Sequence, residues 1–109
     1  MVVVFIHLKI QLLKLINMPN FKTGCQLIAE ERDKQVIQHG YTISNDKSHR
    51  NKELLYGALA YLNAAIYGTS VGKENWPFEN KYWHPEGYID CLKKAGAFIA
   101  AELDRLQLN

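Results

Sequence analysis

The stretch LLYGALAYLNAAIY at residues 54–67 limits the fold more than any other part of the chain. It is apolar nearly all round a helical wheel, and Gly57, Ala58, Ala60, Ala64 and Ala65 leave room for neighbouring helices to come close. A segment of this kind needs partners on several sides. The pattern therefore predicts a central helix from about His49 to Tyr67, with Ser48 or Asp46 as its cap and Gly68 as its stop.

Two more helices are expected around it. The first runs from about Thr23 to His39, with Thr23 as N-cap, Gly40 after the last turn, and an apolar face of Cys25, Ile28, Ala29, Arg32 and Val36, flanked by Leu27 and Ile37. The last starts at Pro85, a residue suited to the first helical position. Its Ile89, Leu92, Gly96, Ile99, Leu103 and Leu106 repeat every three or four residues, as a bundle seam does. Ala95, Ala97, Ala100 and Ala101 form a second, smooth face. GTSVGKEN reads as a flexible connector, and no substantial β-sheet is expected after residue 20. The expected fold is all-α: a small three-helix bundle with an aromatic-rich loop between its second and third helices.

Residues 1–17, MVVVFIHLKIQLLKLIN, differ from the rest. They suit a helix with an apolar stripe over residues 5–16, or a strand at VVVFI, and they lack the basic start and small-residue cleavage site of a signal peptide. Met18 opens a normal-looking start. Residues 1–17 are therefore read as an N-terminal extension or a mis-assigned start, and residues 18–109 as a single helical domain.

Bulk numbers narrow the function classes. A net charge of +2 without a run of Lys or Arg is too weak for a nucleic-acid groove. No segment approaches the ~20 apolar residues of a membrane span. Cys25 and Cys91 stand apart among apolar neighbours, which predicts two buried free thiols and a reducing, cytoplasmic setting. The apolar excess on the last two helices predicts a homodimer or higher oligomer.

No motif names a reaction, and no residue is assigned a catalytic role. Candidate ligand contacts come from polar residues in apolar surroundings and from WPFENKYWHPEGY at residues 76–88, which holds both tryptophans. Trp76, Phe78, Tyr82 and Trp83 are too many large rings for so small a core. They form either its lid or the wall of a site suited to stacking on a planar group. With them go Arg32 and Gln35 as directed polar groups, Tyr41 and His49 beside the turn, and Lys94, which pairs with Asp90 or, facing inward, needs another anion. The set expected at a ligand is thus Arg32, Gln35, Tyr41, His49, Trp76, Trp83 and Lys94. Glu31, Asp46, His49 and Glu53 are a candidate metal set, since His49 and Glu53 would lie one helical turn apart. Helix capping explains Asp46 and Glu53 without any ion.

Taken together, LIAEERDKQVIQHGYTISNDKSH, ELLYGALAYLNAA and WPFENKYWHPEGYIDCLKKAGAFIAAELDRL resemble a family of small phage and prophage proteins. Its members read E-R-x-R-Q…G-W…D-D-x-H, then W-P-W…W-W-K-P…K-A-G-A…A-E-I-x-R-L, and the likeness runs from about Leu27 to Leu106. Here Tyr41 stands for the usual Trp, Lys47 for the second Asp, and Phe78 and Tyr82 for two tryptophans. Lys47 removes an acid from the D-D-x-H element and so weakens the metal reading. The resemblance implies a phage accessory protein in a bacterial host. By analogy, it is expected to bind a nucleotide-like ligand and sequester a host defence signal, with no cofactor. The alternatives are an all-α nucleotide pyrophosphohydrolase using Mg²⁺ and an adaptor that docks on a host protein.

Overall fold

The computed structural model describes residues 2–39 and 52–108. The fold is all-α: among the described residues the helices are α1 (Val2–Ile16), α2 (Gly24–His39), α3 (Glu53–Tyr67), α4 (Thr69–Lys73) and α5 (Tyr88–Leu106), with a 3-10 turn at Asn80–Tyr82. Among the described residues no helix is long and apolar enough to cross a membrane.

α2 starts where the sequence says it should. Thr23 Oγ1 accepts the Gln26 N–H at 3.1 Å, and the Thr23 N–H donates to Gln26 Oε1 at 2.7 Å. This reciprocal capping box satisfies two otherwise unpaired donors and is worth about 1 kcal/mol.

α3 starts later than expected. Lys52 adopts φ 66° and ψ 23°, which breaks the helical path, so the helix begins at Glu53 with no side-chain cap bond. His49, expected to share a helical face with Glu53, lies outside the described residues. The proposed caps Ser48 and Asp46, and the stop Gly40, lie outside the described residues. The expected stop at Gly68 holds: it takes φ 108°, a region that disfavours side chains, and its N–H returns to Ala64 O at 3.0 Å.

The expected flexible connector is partly helical. α4 lies against α3 with Gly72 buried in the contact, where an added Cβ would stand 2.3 Å from the Ala60 carbonyl oxygen and 2.7 Å from Ala64 Cβ. Small residues on α3 admit close neighbours as expected, α4 at Ala60 and Ala64 and α5 at Gly57.

α5, rather than α3, is the element on which both α2 and α3 pack. It runs antiparallel to α3, for Glu53 lies near Arg105, Gly57 faces the Phe98 ring and Tyr61 lies beneath Lys94. Against α2 the approach is close: a Cβ on Gly96 would meet Ile28 Cδ1 at 2.6 Å.

The inward face of α5 is not the predicted seam. Ile89, Leu92, Ile99, Leu103 and Leu106 are exposed, while Cys91, Ala95, Ala97, Phe98, Ala101 and Glu102 are buried. The smooth face wins because alanines let two helices approach, and one large ring, Phe98, fills the space that remains. Nor does α5 start at Pro85. Gly87 turns the chain with φ 108°, and Asp90 Oδ2 reaches back to accept the Glu86 N–H at 3.0 Å, so the first helical residue is Tyr88.

The core consists of Leu54, Ala58, Tyr61, Ala64, Cys91, Ala95, Phe98 and Ala101, with Trp76, Phe78 and Trp83 packed against it. Cys91 is buried as expected, and burial pushes its thiol up from its ordinary value. Cys25 is exposed, contrary to expectation. α2 turns a more polar face inward than its apolar residues suggested, burying Glu31, Arg32 and Gln35 and exposing Cys25 and Ala29. In the extension, residues 2–16 form a helix, and residues 3–16 are exposed throughout.

Candidate functional site

The aromatic segment is anchored at both ends. Asn63 Nδ2 donates to Asn75 Oδ1 at 2.8 Å, tying the start of the loop to α3. The Trp76 indole N–H donates to Glu79 O at 3.0 Å, folding the loop on itself. At the far end the His84 N–H donates to the Tyr61 hydroxyl oxygen at 3.2 Å, and Lys94 Nζ donates to His84 O.

Tyr61 is the hub of a continuous ring cluster. Its centroid lies 4.7 Å from Trp83, 5.4 Å from Trp76 and 6.1 Å from Phe98, and Trp76 in turn lies 5.2 Å from Phe78. The geometries are tilted, edge-on or offset, the arrangements that ring quadrupoles prefer. Burial, aided by the nearby Asp90, Cys91 and Glu31, holds the Tyr61 hydroxyl well above its ordinary pKa, despite the opposing His84 hydrogen bond.

Beside this cluster opens a cavity of about 190 Å³. α2 contributes Glu31, Lys34 and Gln35, α3 contributes Tyr61, and α5 contributes Asp90, Lys94 and Phe98; the loop completes the wall with Trp76, Tyr82, His84 and Glu86. Glu31 and Gln35 are one helical turn apart and only 5% exposed. Gln35 Oε1 has no hydrogen-bond partner among the described residues. An unpaired buried polar atom costs about 1–3 kcal/mol.

Lys94 is the inward cation, but its charge is already engaged. It pairs with Asp90 at 2.9 Å, donates to His84 O, and lies 5.6 Å over the Tyr61 ring. The anion it needed is Asp90. That carboxylate also holds the Glu86 N–H, so one side chain locks the loop to the start of α5.

Of the expected ligand and metal sets, the cavity gathers Gln35, Trp76, Lys94 and Glu31, and Tyr82 of the aromatic loop and Asp90 join them. Trp83 packs on the core beside Tyr61 and serves as lid. Arg32 is buried and lies 3.6 Å from Asp104. Tyr41, Asp46 and His49 lie outside the described residues. Of the metal candidates, Glu31 lines the cavity whereas Glu53 lies near Arg105; among the described residues no group of three His, Cys, Asp or Glu is placed to hold an ion.

Sequence reasoning missed Tyr61, Lys34, Glu86 and Phe98. For Tyr61 the signal was present: it is a hydroxyl-bearing ring in the small-residue stretch between Gly57 and Ala64, where a large group has space and its polar tip needs a partner. Compared with known proteins, the chain matches no family model, no curated protein and no solved structure.

Proposed function

We propose that the chain is a binding module in which α2, α3 and α5 act as a three-helix bundle and the loop at residues 74–87 forms one wall of a site for a nucleotide-like ligand. The observation that carries this reading is the cavity where Trp76 and Tyr82 stand in one wall with buried Glu31 and Gln35, one polar atom of which is unpaired. Flat aromatic walls with a few directed polar groups suit a nucleobase. A space of 190 Å³ is below the ~300–1,000 Å³ of sites that enclose a whole drug-sized molecule, so the base enters and the sugar and phosphate remain outside. The resemblance to phage proteins supports a role in the cytoplasm of a bacterial host, sequestering a defence signal and returning it unchanged.

Calorimetry with a panel of linear and cyclic nucleotides tests this reading. At least one member binds, it is recovered intact, and Trp76→Ala weakens it about 5- to 150-fold, the worth of one base–aromatic stack. Absence of heat across the panel would overturn the reading, and release of pyrophosphate in the presence of Mg²⁺ would replace it with hydrolysis.

The assembly we propose is a homodimer. Leu92, Ile99, Leu103 and Leu106 on α5 and Leu55, Leu59, Leu62 and Ile66 on α3 are exposed, and apolar surface on this scale favours association. Light scattering at micromolar concentration should give twice the chain mass, falling to the monomer in Ile99→Glu with Leu103→Glu; a monomeric unaltered chain sinks the idea.

A further inference from the structure

The chemistry of the cavity wall goes further than flatness, and the inference drawn from it rests on the nucleobase reading above. Three carboxylates, Glu31, Glu86 and Asp90, face two ammonium groups, Lys34 and Lys94. Lys94 is engaged by Asp90, His84 O and the Tyr61 ring. What remains for a guest is an excess of acceptors, foremost the buried Glu31 carboxylate. A phosphate is repelled by that wall, whereas a group rich in N–H donors is drawn to it.

Glu31 and Gln35 project from adjacent turns of α2 into the same space, and both are more than nine-tenths buried. A carboxylate is best satisfied by two parallel N–H bonds from one planar group. The neighbouring rings of Tyr61, Trp76 and Phe98 add flat surface for such a group. A cavity of 190 Å³, the share of about six waters, has space for one ring system of this kind.

We propose that the cavity reads a guanidine-type edge, two neighbouring N–H donors on one planar carbon, through the Glu31 carboxylate, with the Gln35 amide as the second polar contact. Guanine carries this edge on its N1–H and 2-amino group; a free guanidinium carries it as well. Adenine lacks the N1–H, and hypoxanthine has that donor without the amino group.

The test is calorimetry of the full chain with guanosine, inosine, adenosine and methylguanidinium, repeated on Glu31→Gln. The proposal expects guanosine to bind about tenfold or more tightly than inosine or adenosine, the effect of a hydrogen bond to a charged acceptor, and Glu31→Gln to abolish the preference. Equal binding of the three nucleosides, unchanged in Glu31→Gln, overturns the proposal while the nucleobase reading stands. Binding of methylguanidinium alone, lost in Glu31→Gln, keeps the proposal and overturns the nucleobase reading. No binding by any of the four overturns both. Glu31→Gln keeps the side-chain shape, and circular dichroism checks its fold. Should that variant unfold, the ratio of guanosine to inosine on the unaltered chain decides.

Discussion

Phe98→Ala lowers the free energy of unfolding by about 3–5 kcal/mol, the cost of deleting a fully packed aromatic ring. Phe98 is 2% exposed, and its ring lies 5.8 Å from both Trp76 and Phe78 and 6.1 Å from Tyr61. The α3 backbone at Gly57 leans on the same ring, so close that an added Cβ would stand 3.0 Å from it. Gly57, directly across on α3, has no side chain to fill the gap, so the site does not collapse cheaply. Small domains have only about 5–15 kcal/mol in total, and a substantial share is lost with this one side chain. Urea denaturation followed by far-UV circular dichroism measures it, with Tyr88→Ala, an exposed position at the start of the same helix, expected within about 0.5 kcal/mol of the unaltered chain. A loss below 1 kcal/mol for Phe98→Ala would mean that the aromatic cluster is not what holds α3 to α5.

Tyr61→Ala is expected to cost a similar ~3–5 kcal/mol, because Tyr61 is 2% exposed and touches Trp76, Trp83 and Phe98. Tyr61→Phe separates the ring from the hydroxyl. It removes the acceptor of the His84 N–H, a loss of about 1 kcal/mol near neutral pH. Its second effect depends on pH. In the folded chain the hydroxyl keeps its proton well above the ordinary value near 10, whereas the unfolded chain releases it there. Unfolding is therefore favoured as pH rises past about 10, at up to about 1.4 kcal/mol per pH unit, and is unaffected by this group below that point. The Phe variant lacks this part of the alkaline loss, so the gap between the two stability curves should narrow above pH 10. A constant gap from pH 8 to 11 would show that the hydroxyl is not buried.

Several features were legible because they rest on local rules. Thr23 caps α2 as its position suggested, with Gln26 completing the box in the structure, and Gly68 ends α3 because few other residues tolerate its backbone. Global choices were not legible. α5 carries two apolar faces, and periodicity finds both without ranking them. Only the presence of Phe98 among alanines, opposite Gly57 of another helix, decides which one turns inward. Pro85 was credited with starting α5 by a rule that holds for many helices, but Gly87 and the Asp90 bond to Glu86 move the start to Tyr88.

The candidate site divides in the same way. Gln35 stood out as a directed polar group beside the apolar stripe of its helix, Lys94 as a cation able to face inward, Trp76 as part of an aromatic cluster and Glu31 as an acid able to join a metal set. Tyr61, Phe98, Lys34 and Glu86 did not, because their role depends on a meeting of α2, α3, the loop and α5 that no single segment encodes. For Lys94 the sequence left open a pair with Asp90 or an inward position needing another anion, and the pair with Asp90 forms.

The two indoles of the chain, Trp76 and Trp83, stand with centroids 5.1 Å apart, one in the cavity wall and the other in the lid. Because the chain has just these two tryptophans, its red-edge-excited emission originates at this one spot. The protein carries its own optical probe there, and the guest proposed above, entering beside Trp76, is expected to alter that signal.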